Sequence, residues 1–268
     1  FDINSFAFTC GSTFTVEDGG ILELFGSETP TAPTLSSGST ARYTGDGDGL
    51  TDSYTIRDYT YYHLTIASTD SSDTYATPST TEDVDGNFTQ TGGTFTAPSG
   101  NFTIGGNFSR TAGTYTANSG TVVFDGGSQT ITGSTTFYNL SKTVTSAQTW
   151  TFPASSTQTI TNTWTAQGAS GTLLSLRSSS DGTQWRVDPQ GTRTISFLDV
   201  KDSNNINATT IDISGLSITD SGNNTGWGFS SSSSSVSGEV AAPACLDSPP
   251  KSSPIFSSAV YSSESNTP

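Results

Sequence analysis

Residues 86–100 read GNFTQTGGTFTAPSG, and twenty positions later residues 106–120 read GNFSRTAGTYTANSG, identical at 10 of 15 positions. A match in register over this length is hard to obtain from composition alone, and its internal pattern decides the fold class. In Thr94-Phe95-Thr96 and Thr114-Tyr115-Thr116 the aromatic points to one side and both threonines to the other, the period-two signature of a strand. Gly92-Gly93 and Ala112-Gly113 supply turns, because glycine accepts positive φ at no steric cost. Between the copies Asn101-Phe102-Thr103-Ile104 starts a further strand, closed by Gly105-Gly106. Strands this short do not suit a sandwich, where turns recur every 8 to 12 residues or so. They suit one coil of a parallel β-solenoid.

In that geometry equivalent residues of successive coils lie roughly 4.8 Å apart. Phe88 is then expected on Phe108 and Phe95 on Tyr115, with threonine and asparagine rows hydrogen-bonding along the outside. Parallel crossovers in twisted sheets are nearly always right-handed, so the expected winding is right-handed. Winding residues 1 to 229 at ~20 residues per coil predicts about eleven coils and a body ~50 Å long. Looser echoes flank the clear repeat: Tyr61-Tyr62-His63-Leu64-Thr65-Ile66 with Phe137-Tyr138-Asn139-Leu140-Ser141-Lys142, and Gln129-Thr130-Ile131-Thr132 with Gln158-Thr159-Ile160-Thr161.

Composition supports an all-β chain. Of 268 residues, 93 are Ser or Thr, while 31% are apolar and 12% charged. Sparse apolar content with an acidic balance is also the signature of disorder, but 15 Phe, 9 Tyr and 4 Trp argue against it, since disordered chains are poor in aromatics. Met is absent, and 28 Gly and 11 Pro interrupt any helical pattern. The net charge of −15 opposes binding to nucleic acid or anionic lipid. The longest apolar cluster, Ile21 to Phe25, is far short of the ~20 residues of a membrane span, so no membrane insertion is expected. A first residue Phe1 in place of Met is the expected mark of a processed chain or of a piece of a longer reading frame.

Two stretches carry a resemblance. Phe124-Asp125-Gly126-Gly127 through Phe137-Tyr138-Asn139-Leu140, and Ile195-Ser196-Phe197-Leu198-Asp199-Val200-Lys201-Asp202-Ser203-Asn204-Asn205 leading to Asp220 through Phe229 (DSGNNTGWGF), are similar to repeat-rich bacterial surface proteins with right-handed parallel β-helix folds. The similarity spans roughly residues 40 to 229. It implies an exported adhesin or cell-surface stalk, and some related solenoids degrade polysaccharides. No catalytic motif of those enzymes matches this sequence residue by residue.

After Phe229 the chemistry changes to a serine run, Ser230 to Ser235, and a Pro/Ser-rich segment to Pro268. Two domains are therefore expected: a solenoid over 1–229, and a tail or inter-subunit strand segment over 230–268. Within the tail Ile255, Phe256, Val260 and Tyr261 form a strand-prone patch, and Phe1, Ile3, Phe6 and Phe8 form another at the opposite end. Both patches are candidates for strand addition to a neighbouring copy. Cys10 and Cys245 have no metal-like spacing, and in an exported protein they are candidates for a disulfide within or between chains, the alternative being two buried thiols.

Candidate chemistry is sparse. Thr44-Gly45-Asp46-Gly47-Asp48-Gly49-Leu50-Thr51-Asp52 places oxygen ligands at alternate positions, as in calcium loops, with Asp46, Asp48 and Asp52 as ligands. Thr44 stands where a first Asp belongs, no Glu occupies position 55, and a solvated turn is the competing reading. Trp185, Arg186, Asp188, Arg193, Asp199 and Lys201 are the nearest approach to a carbohydrate-processing constellation, and Asp199 with Lys201 reads equally as a surface ion pair. The single histidine, His63, reads as structural because the echo puts Asn139 in its place. Threonine-x-threonine triplets resemble those of ice-binding solenoids, but their uneven spacing predicts scatter over several faces.

The expected function is a non-enzymatic subunit of a bacterial extracellular filament, stalk or sheath that assembles head to tail. The alternatives are a surface adhesin module that binds glycans or a host surface and, behind it, a polysaccharide lyase or hydrolase.

Overall fold

The computed structural model describes residues 13–229. Every ladder between its strands is parallel, and among the described residues there is no helix. A ten-stranded sheet runs from Ile21–Leu24 to Thr219–Asp220 with one strand per coil, so the chain winds a parallel β-solenoid of ten coils. The clear repeat is one three-strand coil: Phe88–Gln90 on the ten-stranded sheet, Thr94–Thr96 on a four-stranded sheet, and Asn101–Ile104 on an eight-stranded sheet. At about 4.8 Å per rung the ten strands extend about 43 Å.

The predicted stacking is found. Phe88 pairs with Phe108 and Phe95 with Tyr115, with ring centroids 5.2 and 6.2 Å apart. One interior column runs Leu22, Ala41, Leu64, Phe88, Phe108, Ile131, and each of these side chains is fully buried. On the four-stranded sheet the column is Tyr54, Tyr75, Phe95, Tyr115. Alternation along each strand thus sends the aromatics inward and the threonines outward.

About eleven coils are predicted over 1–229, and the described residues wind ten of unequal length: paired residues lie 19 apart from Ile21 to Thr40 and 26 apart from Gln148 to Leu174. Both looser echoes fail as structural equivalences. His63–Ile66 lies in the ten-stranded sheet, whereas its echo falls within Thr135–Thr143 of the eight-stranded sheet. Gln129–Thr132 and Thr157–Gln167 are divided in the same way. The threonine triplets scatter over all three sheets, as their spacing predicts.

Two kinds of polar contact hold coil to coil besides the ladders. At the corner entering the ten-stranded sheet, side-chain acceptors take the backbone N–H of the following coil. Asn87 donates to His63 Nδ1 (2.8 Å), Asn107 to Asn87 Oδ1 (2.8 Å), and Thr130 to Asn107 Oδ1 (2.7 Å). Inside, long donors pin the carbonyls of tight turns. Gln90 Nε2 donates to Gly93 and Thr114, while Lys142 Nζ donates to Gly126 (3.0 Å), Gly127 (2.9 Å) and Gln129 Oε1. Such turns admit no side chain: a Cβ on Gly126 would lie 1.8 Å from the carbonyl oxygen of Gly105 one coil away.

Phe108 touches Phe88, Tyr115 and Phe137 across three coils, with centroids within 5.5 Å. Phe108→Ala is therefore expected to cost about 3 to 5 kcal/mol in chemical denaturation, while the exposed Thr116→Ala stays within about 0.5 kcal/mol of the parent.

Candidate functional site

The aspartates of the glycine-rich loop come together, with one carboxylate oxygen each of Asp46, Asp48 and Asp52 within 4.8 Å of the others. Gly45, Gly47 and Gly49 all take positive φ (69°, 70° and 81°), which folds the loop back on itself. Backbone amides already engage part of the cluster: Asp48 N–H donates to Asp46 Oδ1 (3.4 Å) and Leu50 N–H to Asp48 Oδ1 (2.8 Å). Asp73, fully buried behind the loop, accepts from Asp52 N–H and from the Ser68 hydroxyl, so both its oxygens are committed. The loop can offer a divalent cation three carboxylates, about half of the oxygens that calcium takes. Local desolvation, then Asp46, Asp48 and Asp73, raise the Asp52 carboxyl above its ordinary range.

The constellation around Trp185 divides between sheets. Trp185 is fully buried, stacked on Phe152 at 4.0 Å, and its indole N–H donates to the Lys201 carbonyl, so it is core and offers no ring to a sugar. Asp188 lies on the eight-stranded sheet, held by Gln190 and Asn207, while Asp199 lies on the ten-stranded sheet. The two carboxylates do not form an acid/base pair across one cleft. The ion pair read between Asp199 and Lys201 is absent: Asp199 pairs with Arg177 one coil before it, and Lys201 with Asp181. Directly across the ladder from Asp199 stands Ser175, and the guanidinium of Arg177, two residues further along that strand, reaches the carboxylate on the diagonal.

His63 is half-buried, and burial lowers its pKa. Its Nδ1 accepts the Asn87 N–H, which requires an unprotonated nitrogen there. Asn139 Oδ1 does the same for Thr163 N–H (3.1 Å), so the two residues share a role although they lie on different sheets. Cys10 and Cys245, and the assembly candidates Phe1, Ile3, Phe6, Phe8, Ile255, Phe256, Val260 and Tyr261, lie outside the described residues.

Sequence reading misses a buried acid. Glu82, 6% exposed, faces inward in register with Phe102, and its Oε2 has no hydrogen-bond partner. Burial, then the charges of Asp58 and Asp83, push its pKa up to about 8. Beside this region Tyr43 donates to Tyr61 (2.9 Å), and Tyr61 donates to the Arg57 carbonyl. The signal was present in register: Glu82 stands where the next coil has Phe102.

A carboxyl raised in the folded state contributes stability that is complete below its unfolded pKa and is lost as pH rises through the folded value. Lys142 has the opposite sign. Burial depresses it to about 8, so stability is regained from pH 8 up to its unfolded range. Thermal melts between pH 4 and 10 should pass through a minimum near pH 8. Glu82→Gln should flatten the acid limb, adding roughly 4 kcal/mol at pH 8 at about 1.4 kcal/mol per pKa unit, and should leave the alkaline limb in place.

Comparison with protein-family models, with curated proteins and with solved structures finds no match to this chain.

Proposed function

We propose that this protein is a non-catalytic structural subunit of an extracellular or cell-surface filament, stalk or sheath that continues its own winding end to end. One observation carries the reading: ten parallel rungs run in line, and the last, Thr219–Asp220, is a short exposed strand with no capping helix among the described residues. A parallel rung whose far side is open templates another strand, and a head-to-tail contact that does not close generates a fibre. The strand-prone stretches around Phe6 and Phe256 supply apolar segments suited to that junction. The placement of Trp185 in the core, and of Asp188 and Asp199 on separate sheets, supports a non-enzymatic role. Among the described residues no helix is long and apolar enough to cross a membrane.

In electron micrographs of the full chain, rods are expected to lengthen with protein concentration. Replacing Phe6, Phe8, Phe256 and Val260 together by Asp should leave single short particles with an unchanged melting curve. A parent protein that stays monodisperse and monomeric at every concentration overturns the reading.

A further inference from the structure

The wall of the solenoid has a seam. The four-stranded sheet ends at Thr114–Thr116, and the next coil enters the eight-stranded sheet through Thr135–Phe137, which pairs forward with Gln158–Ile160 but not back with Thr114–Thr116. A hollow of about 290 Å³ opens there, lined by Arg110, Tyr115, Thr135, Thr136, Thr157 and Thr159 among others. Its volume lies at the low end of ligand pockets, of the size of one sugar ring.

Arg110 is the residue that the fold does not explain. It stands in register with Gln90, and the repeat makes the exchange explicit, GNFTQ against GNFSR. The neutral Gln90 is enough to pin its turn carbonyls. Arg110 does the same work with two of its nitrogens, Nη1 to the Gly113 carbonyl (2.8 Å) and Nε to Thr135 Oγ1 (3.2 Å), and it adds a positive charge. It makes no ion pair among the described residues, and burial depresses its pKa. A half-buried guanidinium without a carboxylate, in a chain of net charge −15, is an uncompensated cost. Two further groups point the same way. Tyr115 lines the hollow, and its buried hydroxyl has no hydrogen-bond partner. One strand beyond Thr157, Arg186 is exposed and holds only the Ser155 carbonyl. The carboxylate of the same strand, Asp188, is engaged by Gln190 and Asn207.

We propose that this seam binds an acidic saccharide, a hexuronate unit of a polysaccharide, with Arg110 taking the carboxylate and the Thr136 and Thr159 hydroxyls taking ring hydroxyls. Guanidinium matches carboxylate in planar, charge-assisted geometry, while hydroxyls, donors and acceptors at once, suit a sugar ring. The site does not depend on end-to-end assembly.

The test is calorimetric titration of the full chain with glucuronate, a short oligogalacturonide, glucose and inorganic sulfate. Saturable binding of the two acidic sugars is expected, with glucose and sulfate at least about tenfold weaker. Arg110→Gln installs the residue that the preceding coil already uses, so it should fold and weaken uronate binding roughly tenfold to a hundredfold. Thr159→Trp, a wedge at the rim, should abolish binding with the melting curve preserved. The proposal is overturned if neither acidic sugar binds saturably, if sulfate binds as tightly as the uronates, or if Arg110→Gln binds like the parent. Micrographs of the same samples report assembly separately, so either reading can fail alone.

Discussion

Among the described residues, strands find their ladder partners in the coil before and the coil after, never within their own coil, and the rest of the structure depends on that constraint. At a rung spacing near 4.8 Å, whatever points inward in one coil meets its equivalent in the next, and where the register does shift, between Phe137 and Asn139, the ladder resumes one residue on. Aromatics stack because they recur, and Phe88 on Phe108 and Phe95 on Tyr115 follow directly from the twenty-residue period. The same spacing drives turn backbones almost into contact, which is why Gly105 and Gly126 face each other at a corner where neither admits a Cβ. At the same corner it brings an asparagine oxygen under the amide of the next coil, so a polar side chain lengthens the ladder by one bond per coil.

A core this narrow cannot keep its corners dry without donors. Tight turns aim carbonyls inward, and a buried carbonyl left unpaired costs about 1 to 3 kcal/mol. Gln90, Gln129, Arg110 and Lys142 reach these carbonyls from strand positions that would otherwise carry Phe or Ile. The chain thereby gives up apolar burial at each corner for hydrogen-bond satisfaction. The choice among Gln, Lys and Arg is where function can enter, since any of the three serves the turn but only two bring charge. Lys142 is enclosed by three oxygens, whereas Arg110 opens onto the seam.

Much of the fold was legible because alternation reports which side of a strand is buried. His63–Ile66 and Asn139–Lys142 share an inward residue at the second and fourth positions, Leu64 with Ile66 and Leu140 with Lys142. What alternation does not report is which of three sheets a strand joins, and that is why both echoes matched in pattern and failed in place. Coil length varies for a related reason: turns absorb extra residues at no cost to the ladder, so one clear period does not fix the others. The Asp46, Asp48 and Asp52 cluster was legible because its ligands are local in sequence. Glu82 and the seam at Arg110 were not, because both arise from what lies one coil away. Each left a trace as a mismatch between aligned coils, Glu82 against Phe102 and Gln90 against Arg110.

An acidic solenoid proposed to bind an acidic saccharide presents an apparent contradiction, which distance resolves. The 24 acidic residues are spread through the chain, and at physiological ionic strength charges more than about 8 Å apart are largely screened. Long-range repulsion therefore slows the approach of a polyanion without setting the affinity of a local contact. Within the seam the dielectric is lower, the guanidinium has already lost part of its water, and the carboxylate on the strand of Arg186, Asp188, is held by two amides. In the proposed filament the same acidity would act between neighbouring copies, opposing lateral clumping while leaving coil-on-coil contact at the ends to backbone hydrogen bonds that carry no net charge. On that reading sparse cations on an acidic body would separate two tasks, axial continuity falling to the backbone and recognition to an arginine set where the wall opens.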